Sequence, residues 1–324
     1  MWLARDAVDV AGDADIGRRE PTVPAGSRSV PWPISRAASG TRGGTAWRAS
    51  VIAVFAVVAG ALWVWAFVEQ RRALDDLAFL VWGILVVALG VTSGVVFGVG
   101  VIGCASIDAI RRVEWRPLRR RAAAAGALAS ALTCLNLVIV PSTGTVRGVA
   151  LTILAILGGI PAAVGMLGIR AAVGGSGVGA VATAGRLQAN LELRGLASRL
   201  LTALGSLVAL TTFALGASIL AYGTWQGQET VAVILVFGGF GTALVGLAYQ
   251  LPRSALRRDA RALLLELAPL TGHDAATLRQ ELEEREKVER YLGLHTGLLT
   301  ELQAGIVILS PLLAAATALL IPDV

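Results

Sequence analysis

Seven stretches of this sequence run for 20 residues or more without a single Asp, Glu, Lys or Arg. They are 49–68, 77–107, 122–146, 148–169, 200–228, 230–252 and 302–322. A helix rising about 1.5 Å per residue needs roughly 20 residues to cross the hydrocarbon of a bilayer, so each run is long enough to span one. Backbone groups in lipid must pair within their own segment or around a closed barrel. A barrel would show short alternating segments, whereas these runs are continuous. The expected fold is therefore an all-α membrane protein, a polytopic bundle of about seven transmembrane helices with a short cytoplasmic helical hairpin.

Charge supports the same conclusion by where it sits. Only 15% of the 324 residues are charged, against about 25% in soluble domains, and these are swept into a few short segments. An ionised group at mid-bilayer costs at least about 2.5 kcal/mol, which explains the sweeping. The net charge of +6 does not indicate nucleic acid. The basic residues flank apolar runs and do not alternate with exposed aromatics along one face. All but Lys287 are arginines. Cys104 and Cys134, both inside apolar runs, read as packing residues and not as a disulfide framework.

The chain falls into four regions. Residues 1–48 carry Pro21, Pro24, Pro31 and Pro33 among glycines, serines and mixed charges, and are expected to form a disordered cytoplasmic tail. Residues 49–252 hold six spans, 253–301 are cytoplasmic helices, and 302–324 form the seventh span with a short outer end. The stretch 171–185 is too short and too rich in glycine for a span and reads as a flexible connection, with a re-entrant segment as the alternative. Arginines crowd the connections after the second, fourth and sixth runs, while Arg147 is alone after the third. Basic loops stay on the cytoplasmic side. The N-terminus is then cytoplasmic, the C-terminus extracytoplasmic and the location the cell membrane. Trp47, Trp63, Trp65, Trp82 and Trp225 fall near run ends and are expected as interface anchors.

The segment 253–301 is the largest soluble element. Leu256, Ala260, Leu263 and Leu267 recur at helical spacing, with Arg253, Arg257, Arg258 and Arg261 around them. A basic amphipathic helix of that kind suits a headgroup layer, and its arginines are the candidate membrane-surface residues. It should stop near Pro269. Residues 274–292 then offer Glu281–Arg285, Glu283–Lys287 and Glu286–Arg290 at i,i+4 spacing, ending before Gly293.

Little in the sequence carries chemistry. No ionisable group lies well inside a run, and Asn136 with Thr133 is the most polar central pair. His273 and His295, the only histidines, sit in the segment 253–301, so no Ser–His pair is expected within the bilayer. HExxH, GxSxG, a phosphate loop and a TVGYG filter are all absent. No catalytic residue, cofactor or metal site is expected. Gly90, Gly94 and Gly98 share a face of the second span and are candidate helix-packing residues, within the chain or in a homo-oligomer. Gly158, Gly159 and Pro161, and Ser310–Pro311, mark weak points in the fourth and seventh spans. The expected function is a non-catalytic membrane module acting through lipid contacts or a protein partner at 253–301. The alternative is a transporter or permease subunit for an uncharged or lipid-like substrate.

Overall fold

The computed structural model describes residues 41–70, 77–139, 143–174, 183–222, 228–269, 275–291, 305–310 and 313. Of these, 41–45, 69–70, 132–133, 136–139, 143–145, 220, 222, 228–233, 275–276 and 291 are described by backbone alone. The chain divides into Met1–Gly43 and Gly44–Val324; only 41–43 of the first unit are described, and the helical bundle belongs to the second. Expectations about 1–40, 175–182, Trp225, His273, His295 and Pro311, and about the side chains of Thr133 and Asn136, lie outside the described residues.

Among the described residues, seven helices follow one another: α1 Thr41–Gln70, α2 Leu77–Ile110, α3 Trp115–Ile139, α4 Thr143–Gly174, α5 Thr183–Tyr222, α6 Gln228–Leu267 and α7 Ala275–Tyr291. Residues 305–310 are helical too, and no strand occurs among the described residues. Five of these helices (α1, α2, α4, α5 and α6) are long and apolar enough to cross a membrane. Their surfaces agree with a lipid environment. Val57, Ile84, Val236 and Leu247 stand 69, 69, 71 and 65% exposed, an apolar display that water would penalise and acyl chains accept. Several hydroxyls within these helices turn inward on their own backbone. Thr152, Thr211 and Thr212 donate to the carbonyls of Gly148, Leu207 and Val208 at 2.8, 2.7 and 2.9 Å, as a hydroxyl without water must.

Two sets of boundaries differ from the charge-free runs. Arg147, expected between the third and fourth runs, lies one turn inside α4. The helix begins at Thr143, because an arginine forms helix readily and does not mark its start. In addition, α5 starts well before residue 200 and α6 runs through Pro252 to Leu267. Arginines do not break helices; they only mark where lipid ends.

The fourth helix packs on α2, α3, α5 and α6, while α2 also packs on α5 and α5 on α6. Missing side chains set these approaches. A Cβ at Gly90 would strike Ala59 and stand 2.8 Å from the Phe55 carbonyl; one at Gly94 would lie 2.7 Å from Ile52 Cα. Both glycines therefore seat α1. Gly98 meets nothing within 4 Å among the described residues, so the spacing of four does not continue as one seam. The contact with α4 uses Gly100, against the backbone of Pro161 and Ala162, and Gly158, whose Cβ would lie 2.8 Å from both Ser93 Cβ and the Ser93 carbonyl. Close backbone approach replaces the hydrophobic drive that lipid does not supply. Residues 305–310 pack between α5 and α6: Val307 blocks any side chain at Gly205, and Ile308 lies 3.5 Å from the Cβ position of Gly246. Of the expected interface tryptophans, Trp47 and Trp65 are exposed. Trp82 is instead a core residue stacked 5.7 Å from Phe79, and Trp63 lies on Gly83.

Gly100→Ala should lower the thermal midpoint in detergent, costing about 1–3 kcal/mol because the obstructing atoms are backbone. Gly98→Ala should leave the midpoint unchanged or raise it, since alanine is favoured over glycine in a helix by up to about 1 kcal/mol. Equal loss in both variants would contradict the assigned seams.

Candidate functional site

At about 1.5 Å per residue, the 40 residues of α5 and of α6 each reach about 60 Å, twice the hydrocarbon thickness. Their surplus lies where α2 and α4 end and α3 begins, at the arginine-rich end of the bundle. There, α5 keeps the stripe it uses among the apolar helices. Asn190, Leu193, Ala197, Leu200, Leu204, Leu207, Thr211 and Ala214 are all buried, at alternating intervals of three and four. That repeat belongs to helices crossing at a small angle. On α6, Leu256 is buried in the main core, while Ala260, Leu263 and Leu264 form a cluster that Leu187 of α5 and Val288 of α7 close.

These contacts change what Arg253, Arg257, Arg258 and Arg261 can do. Their helix is a continuation of α6, and its Leu256, Leu263 and Leu264 face protein while Leu265 and Leu267 are exposed. The arginines divide by environment. Arg258 and Arg261 are exposed and Arg257 is half-buried. The guanidinium of Arg253 stacks over Tyr249 at 5.8 Å, a cation–π contact.

An ionic seam fastens the extension. Arg186 donates to Glu266 Oε2 at 2.8 Å and to Asp259 Oδ1 at 3.3 Å. Asn190 donates to Asp259 Oδ2 at 3.0 Å and to the Leu256 carbonyl at 3.3 Å. Thr183, at the start of α5, donates to the other Glu266 oxygen at 2.9 Å. Arg111, just past α2, donates to the Ala172 carbonyl at 3.0 Å and holds its second nitrogen 3.9 Å from Asp259. The last turn of α4 is thereby capped by a cation, as the helix dipole favours. Four helix ends and three arginine-rich segments thus converge on Asp259. Nearby, the Trp115 indole donates to Asp108 at 3.1 Å and lies against Gly168, joining α3 to α4.

The seam is partly buried, with Asp259 and Arg186 side chains 11 and 12% exposed. Exposed ion pairs contribute about 0–1 kcal/mol, but removing one partner of a buried pair leaves a stranded charge and costs about 3–5 kcal/mol. Asn190 Oδ1, also buried, has no hydrogen-bond partner among the described residues. The amide orientation is fixed all the same, because both neighbours of Nδ2 are acceptors. In α7 the expected Glu286–Arg290 pair forms at 2.9 Å, whereas Arg285 pairs forward with Glu289 at 3.3 Å.

A second cation lies at the opposite end. Arg147 is 1% exposed, with Trp65 stacked over it at 5.3 Å. It is an internal group and not the lone basic residue of an outer loop. Among the described residues, no three His, Cys, Asp or Glu side chains gather into a metal-binding group.

Asp259, Glu266, Asn190 and Arg186 escape a reading that counts arginines to orient loops. The available signal was the register of Asn190 with the leucines of α5, together with two acids inside an otherwise basic stretch. Compared with known protein families, curated proteins and solved structures, the chain shows no match.

Asp259→Ala should destabilise the protein by about 3 kcal/mol, because Arg186 loses a buried partner, and restoring that loss should require Arg186→Gln in the same chain. A double variant as unstable as the sum of the singles would show that the two groups do not interact. Arg147→Lys should also lower the midpoint, because an ammonium lacks the flat guanidinium face that stacks on Trp65; an unchanged midpoint would count against that contact.

Proposed function

We propose that this chain is a multi-pass protein of the cell membrane. It crosses seven times, with the arginine-rich end and the N-terminus in the cytoplasm and the C-terminus outside. The third span is α3, and the seventh includes 305–310, packed between α5 and α6. We further propose that it works without chemistry of its own, as a scaffold that holds a helical element for a protein partner. That element is the α5–α6 extension with α7 against it. The observation that carries this reading is the ionic seam at Asp259. Fastening a helix pair beyond the apolar spans serves presentation of a surface, whereas a bundle that only had to sit in lipid would need no such device. On α7, Leu278 and Leu282 are exposed one turn apart, between the charged residues that keep the helix in water.

The carrier alternative has one observation in its favour. Ser93 is fully buried with its hydroxyl unpartnered. It lies against Gly158, beside the place where Pro161 deprives the Leu157 carbonyl of its helical N–H. Unpaired polar groups at a helix break are where carriers build sites.

Deleting Ala275–Tyr291 should remove the proteins that co-purify in mild detergent while leaving insertion and yield at wild-type levels. An unchanged partner set would sink the scaffold reading. Flux of uncharged solute or lipid by the purified chain in vesicles, lost in Ser93→Ala, would favour the carrier instead.

A further inference from the structure

The arginines at the arginine-rich end of the bundle fall into two groups. Arg111 and Arg186 are engaged in the seam. In contrast, Arg112, Arg116, Arg119, Arg120 and Arg121 are exposed or nearly so, with no hydrogen bond or ion pair among the described residues. Four of them occupy the first two turns of α3, which has no acid in its first turn. Positive charge at the positive end of a helix dipole is unfavourable in the first turn, and against four arginines the start of α3 has only the carboxylates of Glu114, just before it, and Asp108, which accepts from Val113 N–H and the Trp115 indole. The opposite side of the same helix is committed to packing: Leu118 and Ala122 are buried, and Gly126 lies against Ile160 of α4.

The outward face continues from these charges in one line. Arg116 and Arg120 lie one turn apart, followed on the same exposed face by Ala124, Ala127, Leu128, Ala131 and Leu135. The order is a cationic step at the end of the span and then a low apolar track running toward mid-bilayer. Phospholipid chemistry has the same order: an anionic phosphate at the surface and an acyl chain below it.

We propose that the exposed face of α3 is a docking surface for an anionic phospholipid, with Arg116 and Arg120 holding the phosphate and the alanine track accepting an acyl chain. It rests on the membrane reading but not on any protein partner of α7. The phosphate adds counter-charge for the arginines that Glu114 and Asp108 do not balance, and the acyl chain supplies the selectivity for lipid over a soluble anion.

The test uses the full chain in nanodiscs of phosphatidylglycerol and phosphatidylcholine in equal amounts, with retained lipids counted by native mass spectrometry. The wild type should retain phosphatidylglycerol preferentially. The double variant R116Q/R120Q should lose that preference by about fivefold per arginine removed, the factor equivalent to about 1 kcal/mol for each. Its thermal midpoint should not fall, since neither side chain has a partner to lose. R258Q/R261Q, which removes the same charge from the same end, should keep the preference. Equal loss in both double variants would overturn the proposal, because a diffuse basic field would then suffice. So would full displacement of phosphatidylglycerol by inorganic phosphate, which would mean that the acyl track contributes nothing.

Discussion

A hydrocarbon layer neither accepts a hydrogen bond nor solvates a charge, so a chain within it must pair every polar group with itself. The helices, the self-bonded threonines of α4 and α5, and the removal of arginines to the helix ends all follow from this one constraint. Tight contact follows as well. Because lipid tails are as apolar as leucine, side-chain burial alone gives helices little reason to associate. Contact must come from close backbone approach, and α2 supplies it through Gly90 and Gly94 toward α1 and Gly100 toward α4.

Where the apolar helices end, the rule changes and the same elements take up a different task. The stripe on α5 passes from Leu193 to Asn190 without losing register, and the partner on α6 passes from Leu256 to Asp259. Leucine meeting leucine gives way to amide and guanidinium meeting carboxylate. A carboxylate shared by Arg186, Asn190 and Arg111 fixes orientation more narrowly than apolar contact does, because each bond has a direction. Arg112, Arg116, Arg119, Arg120 and Arg121 have the opposite character: exposed, with no ion pair among the described residues.

Much of this was legible from residues, and the failures have physical causes. Charge-free length located the apolar helices because transfer of a charge into hydrocarbon is the largest energy involved. It misplaced the start of α4, which holds Arg147 inside it, and it cut α5 and α6 short, because arginine is a good helix former. The stop near Pro269 and the charged helix α7 were readable from local chemistry alone. The seam was not, since Arg186 and Glu266 are 80 residues apart and each looks like an ordinary surface charge. Asn190, among leucines on one face, was the clue with the most content. Likewise, the spacing of Gly90, Gly94 and Gly98 could not say that two of them face α1 while a Cβ on the third would meet nothing within 4 Å among the described residues.

The central claim is that hydrocarbon is the solvent around the exposed faces of these helices. Spin labels placed singly at Val57, Ile84, Val236 and Leu247, with one at Glu283 for reference, test it through collision rates with oxygen and with a water-soluble nickel chelate. High oxygen and low nickel accessibility is expected at the four apolar positions, and the reverse on α7. Nickel accessibility at those four matching that at Glu283 would mean that water surrounds them, and the membrane fold would have to be abandoned.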